Sequence, residues 1–173
     1  EQFKAFEDTY VKFFDADNDG DQDLLIGSGG NNPQLIKRAY RDRLYFNDKG
    51  TFDLNFNALP PNAFNTSVIL PYDIDQDGDE DLFVGSRSIP GNYGISPGSF
   101  IYLNNGRGQF IDVTQTIIPE LAYAGMVSDA LWVDILPQKG KELVIIGEWM
   151  APKILSFKLE NRPSVGSPDC ETS

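Results

Sequence analysis

The segment Phe13-Phe14-Asp15-Ala16-Asp17-Asn18-Asp19-Gly20-Asp21-Gln22-Asp23-Leu24-Leu25-Ile26-Gly27-Ser28 joins two apolar runs through an acidic, glycine-containing turn. The same order of residue types returns 58 residues later, as Pro71-Tyr72-Asp73-Ile74-Asp75-Gln76-Asp77-Gly78-Asp79-Glu80-Asp81-Leu82-Phe83-Val84-Gly85-Ser86. A degraded third copy follows after a further 61 residues. Asp134 takes its first acidic place, Glu142 its last, and Leu143-Val144-Ile145-Ile146-Gly147 its apolar run. Self-similarity at such a period marks a chain built from repeated supersecondary units.

The remainder of each unit repeats as well. Leu44 to Phe52 matches Ile101 to Phe110, with one residue inserted in an Asn/Asp/Gly-rich turn between apolar runs. This is the pattern of a hairpin. Lys153 to Phe157 supplies the first half of that hairpin in the third unit, and the second half is missing. The first unit reads as four strands, about Tyr10–Phe14, Leu24–Gly27, Arg43–Asn47 and Thr51–Asn55. No segment carries a sustained 3.6-residue apolar period. The expected fold is therefore all-β: four-stranded antiparallel propeller blades of about 60 residues, forming a partial propeller of about three blades. The predicted boundaries are blade 1 at about 9–58, blade 2 at about 66–115 and an incomplete blade 3 at about 128–162. A polar tail follows over 163–173.

The alternation of acids has a chemical reason. A calcium-sized hard cation takes six to eight oxygen ligands, and side chains at alternate positions of a tight loop converge on one point. Asp15, Asp17 and Asp19 are so placed, Gly20 permits the sharp turn, the carbonyl of Asp21 faces the ion and Asp23 closes the shell. Asp73, Asp75, Asp77, the carbonyl of Asp79 and Asp81 repeat the set around Gly78. The side chains of Asp21, Asp79 and Glu80 are expected in solvent. A solvated acidic turn would explain one such loop; two copies in register, each running into a strand, argue for two metal sites. The twelfth positions, Ile26 and Val84, exclude the bidentate Glu of an EF-hand. The third loop has Leu136, Gln138 and Lys139 where acids and the turn belong, and is expected to fold without metal.

The composition narrows function further. Of 173 residues 26 are acidic and 14 basic, a formal charge of −12, which disfavours nucleic acid and anionic lipid and favours cations. There is no His and one Cys, so imidazole catalysis, a Cys-rich zinc site and an intrachain disulfide are excluded. No apolar run is long enough to insert in a membrane as a helix. Antiparallel alternation places the acidic loops on one face of the blades and the longer loops on the other. The latter carry Arg38, Tyr40, Arg41, Arg87, Tyr93 and Trp149, the weaker candidates for ligand binding. Tyrosines that merely pack the loops down are the competing expectation. Trp132 falls in a first strand and is expected in the core. Asn65-Thr66-Ser67 is a glycosylation sequon.

On Asp15 to Ser28, Asp73 to Ser86 and the matching outer hairpins, the sequence resembles the FG-GAP/VCBS repeat family, the calcium-binding blades of integrin α-like propellers and of many secreted bacterial proteins. The resemblance covers about residues 9 to 157. It implies calcium at Asp15, Asp17, Asp19, Asp21 and Asp23, and at Asp73, Asp75, Asp77, Asp79 and Asp81. It also implies an extracellular, cell-surface or periplasmic module that recognises a protein or carbohydrate ligand without catalysis. A fragment of a propeller-type polysaccharide lyase with structural calcium is the alternative. The family's propellers usually hold more blades, so further blades or self-association are expected as partners.

Overall fold

The structure is a computed structural model and describes residues 6–30, 37–137 and 140–156. The first sheet runs in the order β1 (Glu7–Phe14), β2 (Asp23–Gly29), β3 (Arg43–Asp48) and β4 (Thr51–Asn55), and every pairing is antiparallel. The second repeats it with β5 (Asn65–Tyr72), β6 (Asp81–Ser88), β7 (Phe100–Asn104) and β8 (Phe110–Asp112). The third sheet has three described strands, β9 (Met126–Val133), β10 (Glu142–Glu148) and β11 (Lys153–Leu155). The chain is all-β in three blade-like antiparallel sheets. Among the described residues helix is confined to single turns at Lys37–Tyr40, Thr114–Ile117 and Pro119–Tyr123, the last two bridging the second and third sheets. The end of the expected third blade and the polar tail with Cys170 lie outside the described residues.

Two-residue alternation sorts each sheet into two faces, and both faces of the middle sheet are apolar. Ile69, Leu82, Val84 and Tyr102 share one core with Phe14, Leu25 and Leu44 of the first sheet. Val68, Phe83, Ile101 and Leu103 share the other with Ala130, Leu143 and Ile145 of the third. A side chain such as Leu25 or Phe83, removed wholly from water, stabilises the fold by about 2–3 kcal/mol. The sheets therefore stack face to face, with β1, β5 and β9 adjacent as the inner strands. Trp132 joins the second core, its ring centroid 4.9 Å from that of Tyr72.

The glycine that ends each apolar run is needed for this stacking. A Cβ on Gly27 would stand 2.8 Å from Thr66 Cγ2, and one on Gly85 would stand 3.0 Å from Val127 Cγ1 of the next sheet. The repeated Ile/Val-Gly-Ser is thus a close-approach signal between consecutive blades.

Candidate metal centre

The two acidic loops link β1 to β2 and β5 to β6 at one end of the stack. In the first, Asp15, Asp17 and Asp19 bring carboxylate oxygens within 4.8 Å of one another; in the second, Asp73, Asp75 and Asp81 do so. The loops fold alike. Asn18 and Gln76 sit at φ 62° and 63°, and Gly20 and Gly78 at 94° and 102°. Asp15 Oδ2 accepts from Gly20 N at 3.0 Å, and Asp73 Oδ2 accepts from Gly78 N at 3.2 Å.

The closing acids Asp23 and Asp81 are fully buried. Asp23 accepts from the backbone N–H groups of Ala16 (2.8 Å) and Asn47 (2.9 Å). Asp81 accepts from those of Ile74 and Asn104, both at 2.9 Å. Each carboxylate therefore staples its loop to the third strand of its own sheet. Burial raises the pKa of Asp23, and it pushes Asp81 up to about 7 against the opposing N–H bonds. Asp17 is raised first by burial and then by the neighbouring Asp19 carboxylate.

The site has the chemistry of a cation cradle. Asp15 Oδ1 and Asp17 Oδ1 are buried and have no hydrogen-bond partner, a costly arrangement for a carboxylate that a bound cation relieves. The donor set is oxygen throughout, which suits a hard divalent ion. Both clusters can hold a metal ion.

Three side chains expected in solvent depart from that reading. Asp79 Oδ1 accepts from Asn18 Nδ2 of the first loop at 2.5 Å, and Asp21 Oδ2 accepts from Lys49 N at 3.0 Å. Glu80 is half-buried, with its pKa raised by burial. The Asp79 contact crosses from one sheet to the next, whereas the Asp21 contact is with the β3–β4 turn of its own sheet. Asn104, which the motif did not single out, ties the loops together. Its side-chain amide donates to Ala16 O of the first loop (2.8 Å) and to Glu80 O of the second (3.2 Å). Its recurrence at the place of Asn47 was the available signal. In the third loop Asp134 is exposed and stands in no acidic cluster among the described residues, while Glu142 is buried and accepts from Ile135 N and Leu136 N.

At the opposite end of the stack the ligand candidates separate. Arg87, Tyr93 and Trp149 come together around Glu148, a residue the sequence did not mark. Arg87 Nε lies 2.6 Å from Glu148 Oε1, the Tyr93 hydroxyl donates to the other carboxylate oxygen, and the Tyr93 and Trp149 rings meet edge-on at 5.9 Å. The two donors hold Glu148 below the usual carboxylate range, and the bond to Glu148 raises Tyr93. Trp149 is 79% exposed and sits at φ 56°. Beside this cluster lies a cleft of about 640 Å³ crossing all three sheets, lined by Thr9, Asn65, Ser67, Ser88 and Ser128 among others.

Tyr40, expected as a loop contact, is buried, so its ring packs inward. Arg41 is exposed, and its backbone carbonyl accepts from Ser28 Oγ. The Arg38 side chain lies outside the described residues. The sequon asparagine Asn65 is buried in β5, with its amide donating to Ser88 Oγ at 2.7 Å.

Residues 15–84 match the family model of the FG-GAP-like repeat. The match runs from the first acid of the first loop into β6 and contains both acidic loops, so this part of the chain is similar to an FG-GAP-like repeat. Comparison with curated proteins gave no match.

Proposed function

We propose that the chain is a calcium-braced recognition module of a secreted or cell-surface protein, binding a glycan on the face opposite its metal loops, without catalysis. Calcium at the two acidic loops neutralises the crowded carboxylates and stiffens each loop; two ions would offset about a third of the −12 charge. The observation that carries the recognition role is the convergence of Trp149, Tyr93, Arg87 and Glu148 beside a cleft lined by hydroxyl and amide groups. An exposed indole gives a sugar ring a flat apolar surface, and the flanking groups offer directional hydrogen bonds to its hydroxyls. A protein ligand would use the same aromatic and arginine anchors with less need of the hydroxyl lining.

The lyase reading draws on the same cluster, because a tyrosine beside an arginine can abstract a proton. Its weakness is electrostatic. The bond to Glu148 raises Tyr93 and holds it protonated, the wrong direction for a base. A glycan array probed with the calcium-loaded protein tests the proposal. Binding that Trp149→Ala lowers at least about tenfold supports it. Absence of any glycan signal, or release of unsaturated sugars from uronate polymers, overturns it.

A further inference from the structure

Hydroxyl and carboxylate groups line the cleft beside Trp149, and the direction of each hydrogen bond there decides what a ligand must offer. Thr9 Oγ1 donates to Thr66 O and Ser67 Oγ to Val127 O, both at 2.6 Å, so each hydrogen points into the backbone of the next sheet. The Thr66 hydroxyl donates to the Asp42 carboxylate at 2.9 Å. A hydroxyl has one hydrogen, and all three are committed inside the protein. Thr9 and Ser67 therefore meet the cleft as acceptors.

Asn65 repeats that sign. It is only 8% exposed, its amide nitrogen donates to Ser88 Oγ at 2.7 Å, and its Oδ1 has no hydrogen-bond partner. An acceptor so placed is unfavourable until a ligand N–H or O–H reaches it. The charges agree with the hydrogen bonds. Glu7, Arg87 and Glu148 line the cleft, and Arg87 is already paired with Glu148. Glu7 is exposed and enters none of the ion pairs among the described residues. On the donor side stand the Ser88 hydroxyl and the Arg87 guanidinium, the latter turned toward Glu148. The cleft is thus rich in acceptors and carries excess negative charge, in a chain of net charge −12.

We propose that the glycan taken by this cleft is an amino-sugar oligosaccharide, rich in hydroxyls and carrying free ammonium groups, one of which faces Glu7. The inference rests on the glycan reading above and narrows it to one class of sugar. An ammonium brings three donors and no acceptor, the complement of this lining. Its charge opposes that of Glu7 and of the chain as a whole, which favours encounter. The Trp149 indole, 79% exposed, offers a flat face to a sugar ring and attracts a cation to the same surface. A uronate or sulfated sugar would set its anions against Glu7 and Glu148 and leave acceptors facing acceptors, an arrangement that selects against it.

Titration calorimetry on the full calcium-loaded chain, freed of excess calcium, tests this with oligosaccharides of equal length. The probes are glucosamine units with free amines, the same units N-acetylated, and galacturonate units. At about pH 6.5, below the ordinary range of an amine, the first is cationic. It should bind about tenfold more tightly than its N-acetylated form at low salt, and added salt should narrow the gap. Glu7→Gln should close most of that gap by weakening the amino form, whereas Trp149→Ala should weaken both forms. The galacturonate should not bind. An N-acetylated or galacturonate oligomer that binds as tightly as the amino form overturns this inference and leaves the glycan reading standing. A gap that Glu7→Gln leaves intact does the same. Silence of every sugar, on the glycan array as well, overturns both.

Discussion

The first two acidic loops and the third share their first and last acidic places and differ at the acids between. Asp23, Asp81 and Glu142 occupy the last acidic place of their units, and all three are buried acceptors of backbone N–H bonds. The earlier positions diverge. The first loop places Asp15, Asp17 and Asp19 together, and the second places Asp73, Asp75 and Asp81 together. The third has only the exposed Asp134 ahead of Ile135 and Leu136. The comparison separates two roles that the motif superimposes. The final carboxylate closes the turn onto the sheet whether or not an ion can bind, and the acids ahead of it supply the cation cradle, joined in the second loop by Asp81 itself.

The largest effect that could break this division is at the staples. Asp81→Ala leaves the N–H groups of Ile74 and Asn104 without their acceptor, and should cost about 3–5 kcal/mol in metal-free protein. Glu142→Ala should cost about 2–4 kcal/mol by the same mechanism. Urea unfolding with and without calcium distinguishes them: the Glu142 loss stays constant, and the Asp81 loss grows when calcium is present. Equal growth for both would mean that the third loop binds metal.

Calcium itself comes next. At a hundredfold excess over Kd each occupied site should add about 2.7 kcal/mol. Titration calorimetry should fit two sites in the parent chain and two in Gln138→Ala. A fit of three would erase the contrast between the loops.

The pH dependence sharpens it. Asp81 has its pKa pushed up to about 7 in the metal-free fold, above its unfolded value. Its stabilising contribution is therefore fully present below about pH 4 and is lost as the pH rises through 7, by about 1.4 kcal/mol for each pH step across that window. Asp42, raised to about 6 mainly by burial of its carboxylate, acts in the same direction over a narrower window. In chelator, stability should thus fall across this range. Saturating calcium should remove the Asp81 part, because the ion binds the ionised carboxylate, and should leave the Asp42 part. Superimposable profiles with and without calcium would detach Asp81 from the metal.

The smallest effect concerns the link between the two intact loops. Asn18→Ala removes the bond to Asp79 and no expected ligand, and should weaken the second site about two- to threefold. An unchanged second affinity in calorimetry would show that each loop acts alone.

The amino-acid sequence by itself determined the repeat, the four-strand order, the two acidic loops and the degradation of the third. These are local matters: two-residue alternation sets the strands, and the spacing of Asp and Gly sets the turn. Trp132 was legible as core for the same reason. The tertiary structure alone decided what depends on one sheet lying against the next. The tertiary structure also buried Tyr40 and the sequon asparagine Asn65. It carried Asp79 to Asn18 and Asn104 to Ala16, and it brought Glu148 to Arg87 and Tyr93 across some 60 residues of chain. It also aligned Thr9 and Ser67 with carbonyls of their neighbours and left Ser128 facing outward. Contacts between blades join positions one repeat apart, where no local periodicity reaches, and only the packing of complementary apolar faces brings those positions together.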